Sequence, residues 1–229
     1  MIKRAIILGD YDTAAQGWTL AAWQLSPAEQ KTNFVDKPGG DGAWDLSTAL
    51  TDGVPVYNNR TLTVTLERSD ADRLTREAAI SAMVNALDGM RVNIELPDDA
   101  DHYITGRVHV APEYNDMAHA AVTVTATCEP WRYSKTTNGP RLTLDEDARV
   151  WDITNNGHRA AVPTLELIAE SGSAAEITLT GYSVSYSQTL TAGVYQLPAL
   201  RVKPGELLRV KVQGTPGAVA AMYIREAVL

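Results

Sequence analysis

The feature that most constrains the fold is a strict alternation between apolar residues and threonines. Residues 61–66 read TLTVTL, and residues 120–128 read AAVTVTATC. Successive side chains of a β-strand point to opposite faces, so each run predicts a strand with one buried and one polar face. Two such strands predict a sheet whose apolar face covers a core, and a mainly β fold.

A single segment departs from this period of two. Between the strand that ends near Glu67 and the turn at Gly89, apolar residues recur at i, i+3, i+4 and i+7: Ile80, Met83, Val84 and Leu87. This stripe predicts an amphipathic helix over about residues 70–88. Ser69, Asp70 and Asp72 are candidate N-terminal caps, and Gly89 is placed as the glycine that follows the helix.

The chain is predicted to form two domains. The polar, turn-forming sequence SKTTNGP at residues 134–140 separates two halves with different patterns, which places the domains at 1–134 and 141–229. The second half has turn signals about every ten residues and no helical stripe. Short apolar runs lie between the turns, which predicts an antiparallel β-sandwich.

The stretch before the first alternating strand is rich in turn-forming residues at conserved-looking spacing for one known family. The segment resembles the N-terminal region of distal tail (Dit-like) proteins of long-tailed bacteriophages. Lys37 departs from that pattern, because an aliphatic residue usually stands before the Pro-Gly pair. The matching positions are Lys31, Thr32, Asn33, Val35, Asp36, Pro38, Gly39, Asp41, Gly42, Asp45, Leu46, Ser47, Gly53, Pro55, Tyr57, Asn59 and Arg60.

The resemblance implies a structural protein of a phage or prophage tail, with no catalytic residues and no cofactor. It implies a ring-forming N-terminal domain with one helix and a peripheral, galectin-like C-terminal sandwich. Six copies would form a ring at the virion tail tip, or baseplate hub, after synthesis in the bacterial cytoplasm. The ring would join the tail tube protein to a tail-tip protein and let the tape-measure protein and then DNA pass. The Pro38 to Arg60 region would shape the ring, and Asp45 is a candidate partner for Arg60.

The charge balance argues against a protein that grips nucleic acid. The formal net charge is −8 at pH 7, whereas phosphate binding needs clustered Lys and Arg. The motif region is acidic as well. We therefore expect any channel through such a ring to be neutral or negative. The charged residues of that region are Asp36, Asp41, Asp45 and Asp52 against Lys37 and Arg60.

The residues that would support catalysis or metal binding do not form known patterns. Four histidines lack the HExxH spacing, and the single cysteine, Cys128, lies in an apolar run that predicts a small buried side chain. The acidic clusters at residues 98–101 and 145–147 lack the spacing of a calcium loop, so solvated turns are expected there. No metal, targeting segment or membrane span is expected.

Two other functions remain open from the sequence. A carbohydrate-binding module could use aromatic faces of the second half to stack on host sugars, with Trp151 and Tyr195 as the candidate contacts. The other aromatic residues there are Tyr182, Tyr186 and Tyr223. A hydrolase with an accessory sandwich would need a cleft with converging carboxylates, and no motif indicates one.

Overall fold

A computed structural model describes residues 5–51, 53–69, 72–113, 120–169, 175–181 and 186–229. Predictions that involve Asp52, Asp70, His119 and Tyr182 lie outside the described residues. The chain divides into two compact units. The first runs to Arg132 and includes Leu229, and the second is Tyr133–Val228. That the predicted domains 1–134 and 141–229 fold independently stays a prediction.

The first unit is built on one curled antiparallel sheet and one helix. Its sheet has the strand order β2-β1-β7-β8-β9-β6-β3, and β4 and β5 form a separate two-stranded hairpin. The helix α1 is Arg73–Leu87. The strands are β1 (Ile7–Leu8), β2 (Tyr11–Asp12), β3 (Thr19–Leu25), β4 (Phe34–Asp36), β5 (Ala43–Asp45), β6 (Arg60–Arg68), β7 (Arg91–Glu95), β8 (His102–Glu113) and β9 (Ala120–Ser134).

The two alternating runs form neighbouring strands, as the sequence predicts. Strands β6 and β9 pair so that Val64 lies opposite Val124 and Thr63 lies opposite Thr125. The apolar residues of both strands are buried in one core, whereas the threonines lie on the opposite face. This pairing of like with like fixes the register, because a slip of one residue would turn both apolar sets towards water.

The predicted helix is confirmed, but its cap differs from one of the candidates. Asp72 is the N-cap, and its carboxylate accepts hydrogen bonds from the amides of Leu74 (3.3 Å) and Thr75 (3.1 Å). Ser69 lies before the cap. Ile80, Met83 and Leu87 are buried against the sheet, so the stripe covers the core as predicted. Gly89, with φ of 74°, ends the helix in the left-handed conformation expected of a C′ glycine.

Two local predictions in this sheet are wrong. Gly106 was expected to interrupt its strand, but β8 continues through it. The glycine allows close packing there, since a Cβ atom would lie 2.7 Å from the Cys128 sulfur. In β3, Leu20 and Ala22 were expected on the same face as Trp18. A bulge between Leu20 and Ala22 shifts the register, and Ala22 is exposed.

The second unit contains two four-stranded antiparallel sheets that share one core. The sheet orders are β10-β17-β12-β15 and β11-β16-β13-β14. Both sheets contribute to the same apolar cluster, including Leu165 and Met222 from the first and Ile177 and Val210 from the second. The strands are β10 (Arg141–Thr143), β11 (Arg149–Thr154), β12 (Thr164–Ile168), β13 (Glu176–Gly181), β14 (Ser187–Thr191), β15 (Gly193–Gln196), β16 (Leu207–Gly214), β17 (Val219–Tyr223) and β18 (Ala227–Val228).

The mainly β fold class with a single α-helix is therefore confirmed for the described residues. A short 3₁₀ turn at Pro198–Leu200 is the other helical element described. Within the described ranges, no helix has the length and apolar character that crossing a membrane requires.

Candidate assembly interface

The motif region forms an arm, residues 26–59, that connects β3 to β6. At its base the arm continues the antiparallel pairing of those two strands. The amide of Lys31 donates to the carbonyl of Val56 (2.7 Å), and the amide of Asn58 donates to that of Glu29 (2.8 Å). The arm therefore leaves the sheet along the direction of the β3–β6 ladder.

The outer part of the arm is the hairpin of β4 and β5, in which Val35 lies opposite Trp44. The turn between the strands contains Gly39 and Gly42, whose φ angles are 69° and 75°. A Cβ atom at either glycine would meet no atom within 4 Å. These glycines are therefore required by backbone conformation and not by close packing.

The arm has no core of its own. Within 26–51 and 53–59, no residue is buried. Leu50 is 99% exposed, Phe34 60% and Trp44 51%. Of the thirteen exposed large apolar side chains found among the described residues, seven lie in this arm: Phe34, Val35, Trp44, Leu46, Leu50, Val54 and Val56. An apolar patch of this density on an ordered segment is typical of a protein–protein contact surface.

The arm is fixed to the sheet at its base by side chains. The rings of Tyr57 and Trp131 form an edge-to-face pair, with centroids 5.4 Å apart and an interplanar angle of 82°. Arg60 donates through Nε to the carbonyl of Ser26 (2.7 Å). Partial burial, followed by the neighbouring Arg132 charge, lowers the pKa of the Arg60 guanidinium. These contacts hold the base while the outer arm stays open to solvent.

The suggested pairing of Asp45 with Arg60 is wrong, because each side chain is engaged locally. A carboxylate oxygen of Asp45 accepts from the amide of Ser47 (2.9 Å). Hydrogen bonds from Ser47 lower the pKa of Asp45. Arg60, as described above, is bound to the backbone of Ser26.

The other predicted motif residues also lie in the arm. The amide of Leu46 donates to the carbonyl of Asn33 (2.8 Å), which continues the hairpin below β4 and β5. Gly53 has φ of 80° and ends the turn that follows. Pro38 and Pro55 are exposed. The structure thus brings the motif together in one element, and its role in a ring stays a prediction.

Of the two sugar-contact candidates, Trp151 is removed by its position. Its side chain is 2% exposed and belongs to the core of the second unit, so neither ring face is available to a sugar. Tyr195 is half-buried, packs against the same core, and lies with its hydroxyl 3.3 Å from the Thr191 hydroxyl. Tyr186 also packs against that core.

The acidic clusters are engaged by neighbouring cations. Asp99 contacts His102 Nδ1 at 2.7 Å and Arg132 at 2.8 Å. Burial raises the pKa of Asp99, but His102 and Arg132 together outweigh burial and hold it below its usual value. Asp145 pairs with Arg149. Within the part of the chain that the structure describes, no three His, Cys, Asp or Glu side chains are grouped as metal ligands.

The net charge is carried by one half of the chain. Residues 1–132 contain 19 acidic and 11 basic side chains, whereas residues 133–229 contain nine of each. The whole formal charge of −8 therefore belongs to the part that carries the arm, and the second part is neutral.

The two units and the arm define a class: a β-rich protein of two units with one helix and a projecting hairpin. The Dit protein of SPP1 has a similar fold. Its crystal structure is described as a paradigm of the hub adsorption apparatus in phages that infect Gram-positive bacteria. The likeness has a TM-score of 0.62 at 16% identity and covers 98% of this chain and 99% of that chain. The resemblance inferred from the motif is confirmed at the level of the fold.

Comparisons of the sequence with family profiles and with curated proteins find no match. Sequence reasoning identified the motif but missed the exposed apolar residues within it. A signal for them was present, because Phe34, Trp44 and Leu50 stand in a turn-rich, polar stretch without a periodic set of apolar partners.

Proposed function

We propose that this chain is a structural protein of a phage or prophage tail that forms the hexameric distal-tail ring. The observation that carries the proposal is the arm, an ordered segment with seven exposed apolar side chains and no buried residue in its described part. The full-length fold likeness to SPP1 Dit supports it.

The proposed mechanism is geometric and needs no covalent chemistry. Each arm contacts the next copy, and a head-to-tail contact that closes on itself leaves no free interface. Complete burial of one large apolar side chain contributes about 1.5–3 kcal/mol. Seven such side chains per contact are enough to offset an association cost of roughly 4–15 kcal/mol.

The ring would connect the tail tube protein to a tail-tip or tail-associated protein at the end of the virion. The tape-measure protein and then DNA would pass through its opening. The negative charge of residues 1–132 favours passage, since an acidic surface repels phosphates instead of binding them. Synthesis and assembly would take place in the bacterial cytoplasm.

The mass of the assembled protein tests the proposal. Six chains of 24.8 kDa have a mass of about 149 kDa. We expect light scattering over a concentration series to reach that mass and negative-stain images to show rings. Replacing Phe34, Trp44 and Leu50 with Ser should abolish the ring without unfolding the chain, because none of the three is buried.

A matched control carries the same change at exposed apolar residues outside the arm, namely Leu74, Val150 and Val194. This triple Ser variant should assemble like the wild type. A wild-type chain that stays a monomer at every concentration, or an arm variant that still forms rings, contradicts the proposal.

A further inference from the structure

Strand β3 has an unpaired edge that lacks the usual protection against further pairing. It lies at the end of the first sheet, with β6 on one side and no described strand on the other. Its seven residues read TLAAWQL and contain no charge and no proline. Edge strands are normally shortened, charged or interrupted by proline to prevent pairing with another chain.

The other sheet edges of the described residues are shorter or charged. Strands β2, β10 and β15 have two, three and four residues. Strand β11 has six but carries Arg149 and Asp152. Strand β14 has five and carries no charge, so it is the one comparable alternative. The longest unprotected edge therefore belongs to β3.

The hairpin at the end of the arm has the complementary need. Strands β4 and β5 have three residues each and pair only with each other among the described strands. A two-stranded ribbon of this size is marginal in water and gains stability by joining a larger sheet. The apolar side chains of the hairpin, Phe34, Val35 and Trp44, are all exposed.

The hairpin cannot reach the β3 edge of its own chain in this conformation. The arm begins directly after Leu25 and continues the β3–β6 ladder outwards through the Lys31–Val56 and Glu29–Asn58 hydrogen bonds. Nine extended residues from Leu25 to Phe34 span at most about 30 Å, and they lead away from β3. The occupant of the edge must come from another molecule.

We propose that the β3 edge of one copy accepts the β4–β5 hairpin of the neighbouring copy as added strands. The inference rests on the proposed ring and specifies its contact. Every copy carries one donor and one acceptor at different places, so the contact is head-to-tail and repeats around a closed ring. Backbone hydrogen bonds give the pairing, and Leu20, Trp23 and Leu25 offer apolar neighbours to the hairpin.

Cross-linking tests the contact directly. One variant carries Ala43→Cys in the hairpin and Gln24→Cys in β3, and the comparison variant carries Ala43→Cys with Gln188→Cys in β14. A short bismaleimide is added to the assembled protein, and denaturing gels are read for covalent ladders. Wild type serves as the background, because the thiol of Cys128 is buried. We expect a ladder up to six chains from the β3 pair and none from the β14 pair.

Blocking the edge provides a second measurement. Ala22→Lys with Gln24→Lys places two charges on the exposed side of β3, and we expect the assembly midpoint to move to about tenfold higher concentration or more. Thr63→Lys is the control, since it adds charge next to Gln24 on the central strand β6 without touching the edge. Thermal unfolding and circular dichroism verify that each variant is folded.

The outcomes separate this inference from the proposed function. Rings of the expected mass that give no β3 ladder, or that tolerate the edge lysines, contradict the strand addition and leave the ring intact. An equal ladder from the β14 pair contradicts the choice of edge. A chain that neither assembles nor cross-links contradicts both proposals.

Discussion

At the scale of single residues, the structure shows why two positions that look unremarkable in the sequence are constrained. Gly106 lies in a continuous strand directly against Cys128, and a Cβ atom there would approach the sulfur to 2.7 Å and the Cα to 3.3 Å. The sequence suggested a break because glycine weakens strands. The actual cause is the neighbouring strand, which lies far away along the chain and has no local signal.

We expect Gly106→Ala to lower the free energy of unfolding by about 1–3 kcal/mol, the typical cost of overpacking a core. Denaturant titration measures it. Gly40→Ala is the control, because the nearest atom to its added Cβ is 3.7 Å away. Cys128→Ala in the same chain should restore part of the loss, and an unchanged Gly106→Ala variant contradicts the packing account.

The thiol of Cys128 should be inert in the folded protein. Burial raises the pKa of Cys128 to about 11, and the thiolate is the reactive form. A thiol reagent at pH 8 should therefore modify Cys128 only after denaturant is added. Rapid modification of the native protein would mean that the first core opens readily.

Asp99 should make the stability depend on acid pH. Its pKa is lowered in the fold by His102 and Arg132, so its contribution is present above the unfolded pKa of about 3.9 and is lost as the pH falls through the lower folded value. We expect Asp99→Asn to cost about 1–3 kcal/mol at pH 7. The difference from wild type should narrow below about pH 4 in denaturant titrations, and a constant difference contradicts the assignment.

At the scale of elements, the sequence predicted those whose stability comes from their own burial. The strands β6 and β9 and the stripe of Ile80, Met83 and Leu87 were identified because apolar period and burial agree. The arm could be located by its turn residues, but its shape could not be derived. No core residue within it sets a period, and its apolar side chains have no partner inside one chain.

The segment after β9 should be the first to be cut by protease. Residues 135–139 are exposed, but Asn138 is fixed by backbone hydrogen bonding to Ile224 at 3.0 Å. We expect brief trypsin treatment to cut at Lys135 and to leave a C-terminal fragment with a β-type circular dichroism spectrum. An unfolded fragment would show that the second unit depends on the first.

At the scale of the whole molecule, the uneven charge has a consequence for assembly. Each copy brings a net charge of −8 in residues 1–132, so copies that meet through this part repel each other at low salt. The apolar arm contact must overcome this repulsion. An interface built on opposite charges would behave in the reverse way.

We therefore expect added salt to favour the ring. Raising the ionic strength from about 0.05 M to 0.5 M shortens the screening distance and should lower the concentration at which light scattering finds half of the chains assembled. The same salt change should leave the Phe34, Trp44 and Leu50 Ser variant monomeric. A ring that dissociates in high salt would point to ion pairs instead of the arm.

The ring is also expected to leave DNA unbound. Filter binding or anisotropy with a double-stranded probe at physiological salt should show no saturable complex, since net negative charge opposes contact with phosphates. A tight, salt-sensitive complex would mean that basic side chains are gathered on one surface of the assembly.

A reconstruction of the assembled particle by electron cryo-microscopy tests the central claim most directly. The account predicts a closed ring of six chains, with each arm buried against the next copy and a central opening lined by neutral or acidic side chains. A particle without an opening, arms left in solvent, or an opening lined by Lys and Arg would contradict it.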